Sequence, residues 1–431
     1  MTRRTSSLLL TAGFITGLLV RFALAFDMGV GDMEEYYKWG RRALEIGLPA
    51  SYHGIYFPLQ YQSFEVCAAL VARSGVQFFT VFKLANLAFD IGIFVLLLSL
   101  LRRRQASPLY ALLYWLHPWF VTVFSLGYID FQFAFFVLVA IWLLRRDTIQ
   151  DYLLAGLPLG CAFLMKPQAQ ILVLATFLYG CFRWLRRKDA RPFAMLVGPV
   201  LLFLFYEWLF VHALRRPRLE HAAILPASYL NITNVMPALT AQMTNIWAPV
   251  AYVLKKPGQS LIEVSDRIHL LPWVPAKFLA IATVLGLLGW YVHRVARKPA
   301  ASPGDGLMFI FCFASLAVPF LMTSAHENHL FLGTIFLCLV AAGETPFAVK
   351  AAIQVLLIFQ LLNLFSLYGL HPQSLAAFLK RTLSAELVVL YSFVCVACFA
   401  LIAKWLWTTA GGLRLQRSED GGQWTEARSR P

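Results

Sequence analysis

Apolar runs long enough to enter a bilayer recur along nearly the whole chain, near residues 6–26, 78–101, 107–125, 130–144, 152–165, 169–183, 192–212, 272–292, 307–323, 329–342, 347–369 and 384–407. No soluble core of this size would bury so many. Hydrophobic residues make up 59 % of the chain and charged ones only 14 %, against about 45–50 % and 25 % in an ordinary soluble domain. The runs predict an all-α polytopic membrane protein with about twelve transmembrane helices. They form a single domain over 1–408, followed by a polar, glycine-containing tail, 409–431, for which disorder is expected. The first run, Ser6 to Phe26, follows Arg3 and Arg4 and has the length of a span, so it reads as a retained helix rather than a cleaved signal. The seven cysteines lie in or beside apolar runs without metal-ligand spacing and read as small packing residues.

Charge fixes an expected orientation. The stretch Tyr56 to Val71 is long enough for a short span but carries Gln60, Gln62 and Glu65. If it crossed, Arg102, Arg103 and Arg104 would lie on the side opposite Arg3 and Arg4, against the positive-inside rule. Kept outside as an interfacial element, it lets Arg145–Arg146, Arg186–Arg187–Lys188, Arg294–Arg297–Lys298 and the tail arginines share one side with the N-terminus. Both ends are then cytoplasmic in a plasma (inner) membrane. Most of the net charge of +15 becomes orientation signal, and no nucleic-acid partner is expected. Two long loops, about 27–76 and 213–271, fall on the outer side. Pro226, Pro237, Pro249 and Pro257 break the second into short pieces, and its apolar run Ile246 to Leu254 is too short to span.

The first loop contains GDMEEYYKWGRRALEIG, Gly31 to Gly47, in which Met33, Tyr36, Tyr37, Gly40, Ala43 and Leu44 recur at helical spacing opposite Glu34, Glu35, Lys38, Arg41, Arg42 and Glu45. This is an interfacial helix. Asp32 with Glu35 three residues on has the pattern of a capping box, and Gly47 followed by Pro49 ends the helix. Other polar residues stand near the same face: Tyr128 and Asp130, Lys166–Pro167–Gln168, Asn245 and Trp247, and His326–Glu327. A charged residue at a span centre costs about 2.5–3.5 kcal/mol on insertion scales, so such a convergence points to a polar site. Lys83, Asn86 and Asp90 mark one face of the second span and read as a structural network, while Arg21 near the end of the first span is expected to snorkel.

The ordered set Gly31–Asp32, Tyr36, Trp39, Gly47, Tyr56, Pro58–Leu59, Gly127–Tyr128–Ile129–Asp130, Lys166–Pro167–Gln168, Asn245–Ile246–Trp247 and Ala325–His326–Glu327–Asn328–His329 resembles the bacterial GPI-mannosyltransferase-II-like branch of the GT-C glycosyltransferases over about residues 5–345. It departs from that branch's usual forms at Phe57–Pro58 for Pro-Pro, at Tyr128 for Gln and at Asn328 for Arg.

The resemblance implies a GT-C-like fold and an inverting transfer of a mannose-like sugar from a polyprenyl-phosphate donor to a glycolipid or glycan acceptor on the outer face. An attacking hydroxyl must lose its proton, which a carboxylate accepts as general base while the lipid phosphate leaves as an anion. Asp32 is the first choice for the base and Asp130 the second, or a partner that orients the acceptor. Lys166, His326 and His329 are candidates to meet the phosphate, with Arg215, Arg216 and Arg218 behind them. Glu327, Asn245, Trp247 and Tyr56 complete the expected substrate contacts, although Trp247 also suits the interfacial belt. No glycine-rich nucleotide fingerprint is present. Asp27, Asp32, Glu34 and Glu35 could gather an oxygen-liganded cation, but no metal or other cofactor is predicted. The rival class is a transporter or lipid-linked-sugar flippase.

Overall fold

The computed structural model describes residues 3–213, 225, 228, 237–241, 243–297, 303–343, 345–368, 385–409, 415–417 and 424–426. Within them the protein is built almost wholly of helices, as a lipid-facing chain must be when backbone polar groups have no water to meet. Among the described residues, seven helical segments are long and apolar enough to cross a bilayer. They lie in α1 (Arg3–Leu24), α5 (Phe78–Arg103), α11 (Val197–Ala213, continued from a 3₁₀ turn at Arg191–Leu196), α13 (Ala276–Arg297), α14 (Pro303–Leu321), α16 (Phe347–Tyr368) and α17 (Ala385–Thr409).

Other expected spans are shorter. The run predicted over 107–125 is two helices, α6 (Tyr110–Leu116) and α7 (Pro118–Leu126). Pro118 disfavours the helical conformation at the residue before it, and His117 turns extended with ψ 130°. α8 (Asp130–Leu143), α9 (Ile149–Phe163) and α15 (Phe331–Ala341) have 14, 15 and 11 residues. At about 1.5 Å per residue none reaches the roughly 30 Å of a hydrocarbon core alone. α10 (Ala169–Arg187), with 19 residues, is longer but ends in charged turns. α9 packs against α11 through Gly156 and Gly160, where a Cβ would run into Gly198 and its neighbours. This is the close approach that small residues permit between membrane helices.

The first long loop folds as expected into α2 (Asp32–Ile46), which buries Met33, Tyr36, Gly40 and Ala43. α4 (Pro58–Ser74), 17 residues, lies along it, with the Gly40 backbone against Phe64. A one-turn helix, α3 (Leu48–Ser51), joins them after Gly47, whose φ of 83° suits glycine. In the second loop Trp247–Leu254 forms α12, two turns long, and His269–Leu271 pairs with Val274–Pro275 in a small hairpin. Leu225 packs with Leu48, Tyr61 and Leu164, which brings the second loop onto the first. Arg215, Arg216 and Arg218 lie outside the described residues. In the tail, Leu415–Arg417 pairs antiparallel with Trp424–Glu426.

The bundle has two chemically distinct ends. At one, Arg103 donates to Trp142 O at 2.7 Å, Arg104 to Leu339 O at 3.3 Å, Arg187 to Arg297 O at 3.4 Å and Arg294 to Trp407 O at 2.9 Å. Arg183 is paired there with Asp147 and Asp189. Arginines thus tie the C-terminal ends of α5, α8, α10, α13, α15 and α17 together. At the other end lie α2, α4, the start of α8, the α9–α10 turn and the segment before α15.

Between the ends, Arg21 does not snorkel. It is fully buried and paired with Asp90, which also accepts from Tyr114, while the Arg21 guanidinium stacks 4.0 Å from the centre of the Trp115 ring. Satisfaction by a carboxylate inside the bundle takes the place of a reach for water. Lys83 donates to the carbonyls of Leu24 and Asp27, at 3.1 and 2.6 Å, which fastens the end of α1 to the start of α5. The seven cysteines are unbonded and buried or half-buried.

Candidate functional site

Backbone hydrogen bonds draw the loop segments of the non-basic end together. Leu59 N donates to Leu164 O at 3.0 Å, so the Tyr56–Pro58 turn is held beside the α9–α10 turn. Val30 N donates to Leu126 O at 3.0 Å and Ala241 N to Ala325 O at 3.2 Å. Side chains separated widely in sequence are thereby placed side by side.

Asp32 is the first helical residue of α2, with Gly31 in the capping position and no side-chain cap bond. The expected capping box is absent: its carboxylate would have to sit one residue earlier to reach back over the free N–H groups. Asp32 is open to solvent and, among the described residues, its carboxylate has neither a hydrogen bond nor an ion pair. Partial burial raises its pKa, nearby Glu327 and Glu35 add to that, and His326 opposes it. A carboxylate so placed is accessible, unspent and more basic than usual.

Asp130 is differently placed. It opens α8, and its carboxylate accepts from the Lys166 ammonium at one oxygen and from Asn328 Nδ2 at the other, the latter at 3.0 Å. Both ion-pair side chains are 3 % exposed. Lys166 sits where Pro167 follows the end of α9. Asn328, at the position where the resembled family carries Arg, completes the pair.

The segment before α15 supplies the rest. Glu327, 1 % exposed, accepts at Oε1 from the hydroxyls of Tyr128 at 2.5 Å and Tyr368 at 2.7 Å. The His326 ring is 35 % exposed with Nδ1 4.0 Å from Glu327 Oε2. Burial lowers the His326 pKa and Lys166 adds to this, against the pull of Glu327, Asp32 and Asp130. His329 Nδ1 accepts from the His326 backbone N–H at 3.3 Å, and the two rings meet edge to face. Tyr56, half-buried, lies 3.4 Å from Tyr36, hydroxyl to hydroxyl, within electrostatic reach of Asp32, Asp130 and Glu327.

Asn245 and Trp247 are held elsewhere. Asn245 is fully buried: its amide donates to Pro319 O and Met322 O, both at 3.2 Å, and its oxygen accepts from Trp247 N. The Trp247 indole donates to Leu321 O at 2.8 Å. Both side chains therefore satisfy carbonyls at the C-terminal end of α14, which have no partner further along the helix. Trp247 is a buried clasp, not a belt residue, because its N–H has a carbonyl to meet.

A polar chain runs below the site, joining Asn86, expected in a structural network, to Gln132, which the sequence did not single out. Gln60 donates to Gln132 at 3.5 Å, Gln132 to Asn86 at 2.9 Å and Asn86 to Tyr128 O at 3.0 Å. Among the described residues no three His, Cys, Asp or Glu side chains gather as metal ligands. In comparison with known proteins, the chain matches no family model and no curated sequence.

Proposed function

We propose that this membrane protein is an inverting glycosyltransferase with Asp32 as general base. It takes a mannose-like sugar from a polyprenyl phosphate and gives it to a glycolipid or glycan acceptor. The observation that carries this reading is the contrast between carboxylates at one end of the bundle: Asp130 and Glu327 are bound, while Asp32 is accessible and unpaired beside them. The acceptor oxygen forms its bond to the anomeric carbon as the carbon–phosphate oxygen bond breaks. Asp32 takes the acceptor proton, and the lipid phosphate departs with the electron pair. We assign the departing anion to the side of Lys166 and His329.

The arrangement of the ends supports an outward site. With the arginine-tied end cytoplasmic under the positive-inside rule, with both termini there and about twelve crossings, the polar end faces outward, where a lipid-linked sugar is available. A transporter needs ionisable groups free to bind cargo inside the bundle. Arg21 and Asp90 hold each other, and Lys83 is occupied by two carbonyls.

Mass analysis of envelope glycans and lipid-linked sugars in a deletion strain tests the reading. Loss of one glycan, restored by the wild-type gene, supports it. An unchanged glycan profile contradicts it.

A further inference from the structure

Glu327 presents an unusual imbalance. Two tyrosine hydroxyls, from the turn before α8 and the last residue of α16, converge on Oε1, and they also lie 2.7 Å from each other. Each hydroxyl has one proton. With both donated to the carboxylate, neither is left for the tyrosine–tyrosine contact, so the carboxylate is what holds the two rings together. Oε2 is buried with no hydrogen-bond partner among the described residues, and His326 Nδ1 at 4.0 Å is beyond hydrogen-bond range. A buried carboxylate oxygen left unpaired is costly, which makes it a place where a ligand donor is gained.

We propose that Tyr128 and Tyr368 are positioning residues that clamp Glu327 so that Oε2 accepts a hydrogen bond from a hydroxyl of the sugar-bearing ligand. This deepens the glycosyltransferase reading and rests on it. The chemistry selects the class of group: an ionised carboxylate oxygen accepts only, so it suits a hydroxyl and repels a phosphate. Sugar and lipid phosphate are thereby assigned to different parts of the site, the sugar to Glu327 and the phosphate to the side of Lys166 and His329. Tyr128 thus does more than replace the glutamine of the resembled family, because its ring carries the hydroxyl to the carboxylate.

The test uses membranes of a deletion strain that express wild type, Tyr368→Phe, Tyr128→Phe or Glu327→Gln. Short-chain polyprenyl phosphates bearing mannose, glucose or arabinose serve as donors, and the strain's own glycolipid extract as acceptor. KM for donor and for acceptor is measured separately from kcat per folded protein. The clamp predicts that each Tyr→Phe change raises one of the two KM values roughly tenfold, as loss of a hydrogen bond to a charged group would. In the same variants kcat changes less than about twofold. A merely structural role lowers the amount of folded protein and leaves KM alone. Which KM rises tells whether the hydroxyl belongs to donor or acceptor. Active wild type with both KM values unchanged in both tyrosine variants overturns the clamp alone. Wild type inactive with all three donors removes the glycosyltransferase reading and the clamp with it.

Discussion

Lys166 and Asp130, 36 residues apart, form an ion pair inside the protein, and Asn328 occupies the second carboxylate oxygen. Both oxygens of Asp130 are thereby occupied, whereas the Asp32 carboxylate is open to solvent, which separates the two acids the sequence offers as base. Lys166→Met leaves Asp130 charged, buried and held only by an amide. The expected loss is about 3–5 kcal/mol of stability, read as a lower unfolding temperature in detergent, with most of it recovered in Lys166→Met/Asp130→Asn. A single variant as stable as wild type would show that the pair contributes little.

Asn328→Arg sets a second cation against a carboxylate that already has one, at a position only 8 % exposed. Alone it is expected to lower the unfolding temperature. In the Lys166→Met background the same change supplies the missing cation and raises it. Equal effects in the two backgrounds would mean that Asn328 and Lys166 do not share Asp130.

Arg21→Met removes the partner of a fully buried Asp90 in the middle of the bundle. The cost should again be about 3–5 kcal/mol, with Arg21→Met/Asp90→Asn closer to wild type. A surface arginine would give less than 1 kcal/mol or so, and that result would return Arg21 to the bilayer interface.

The pH dependence of transfer has a definite sign. The base must be unprotonated, and burial lifts Asp32 above the ordinary value of 3.8, so the acid limb of the rate profile lies above that value. Protonated His326 lowers the Asp32 pKa and Glu327 raises it. His326→Gln therefore moves the acid limb to higher pH, and Glu327→Gln moves it lower. Shifts in the opposite directions would remove Asp32 as the group titrating on that limb.

Much of the architecture was legible in residue pattern. The amphipathic spacing of Met33, Tyr36, Gly40 and Ala43 is the face that α2 buries, and Gly47 ends the helix as its place before Pro49 suggests. The polar junctions do collect at one end. Partnership was not legible, because it depends on which helix stands next to which. Asp32 resembled a cap because its spacing to Glu35 is right, yet the helix begins one residue too early, at Asp32 itself, with Gly31 in the capping position. Arg21 resembled a snorkelling residue because nothing in its neighbourhood of sequence announces Asp90, 69 positions on. Asn245 and Trp247 resembled ligand contacts, but they close the carbonyls left open at the end of α14. Gln60, Gln132 and Tyr368 gave no signal beyond being polar or aromatic in apolar runs. The Gly156–Gly160 spacing, which the sequence reading did not use, marks a close helix crossing.

The most direct test is the rate of sugar transfer by Asp32→Asn, measured per folded protein in deletion-strain membranes supplied with short-chain polyprenyl-phosphate sugars. Asp32 makes no cap bond and no ion pair, so its amide should leave the stability within about 0.5 kcal/mol of wild type. Transfer should fall by about 10²–10⁴-fold, the usual contribution of a general base. Unchanged stability with transfer lost is the result the account predicts. Transfer within a few-fold of wild type would contradict it.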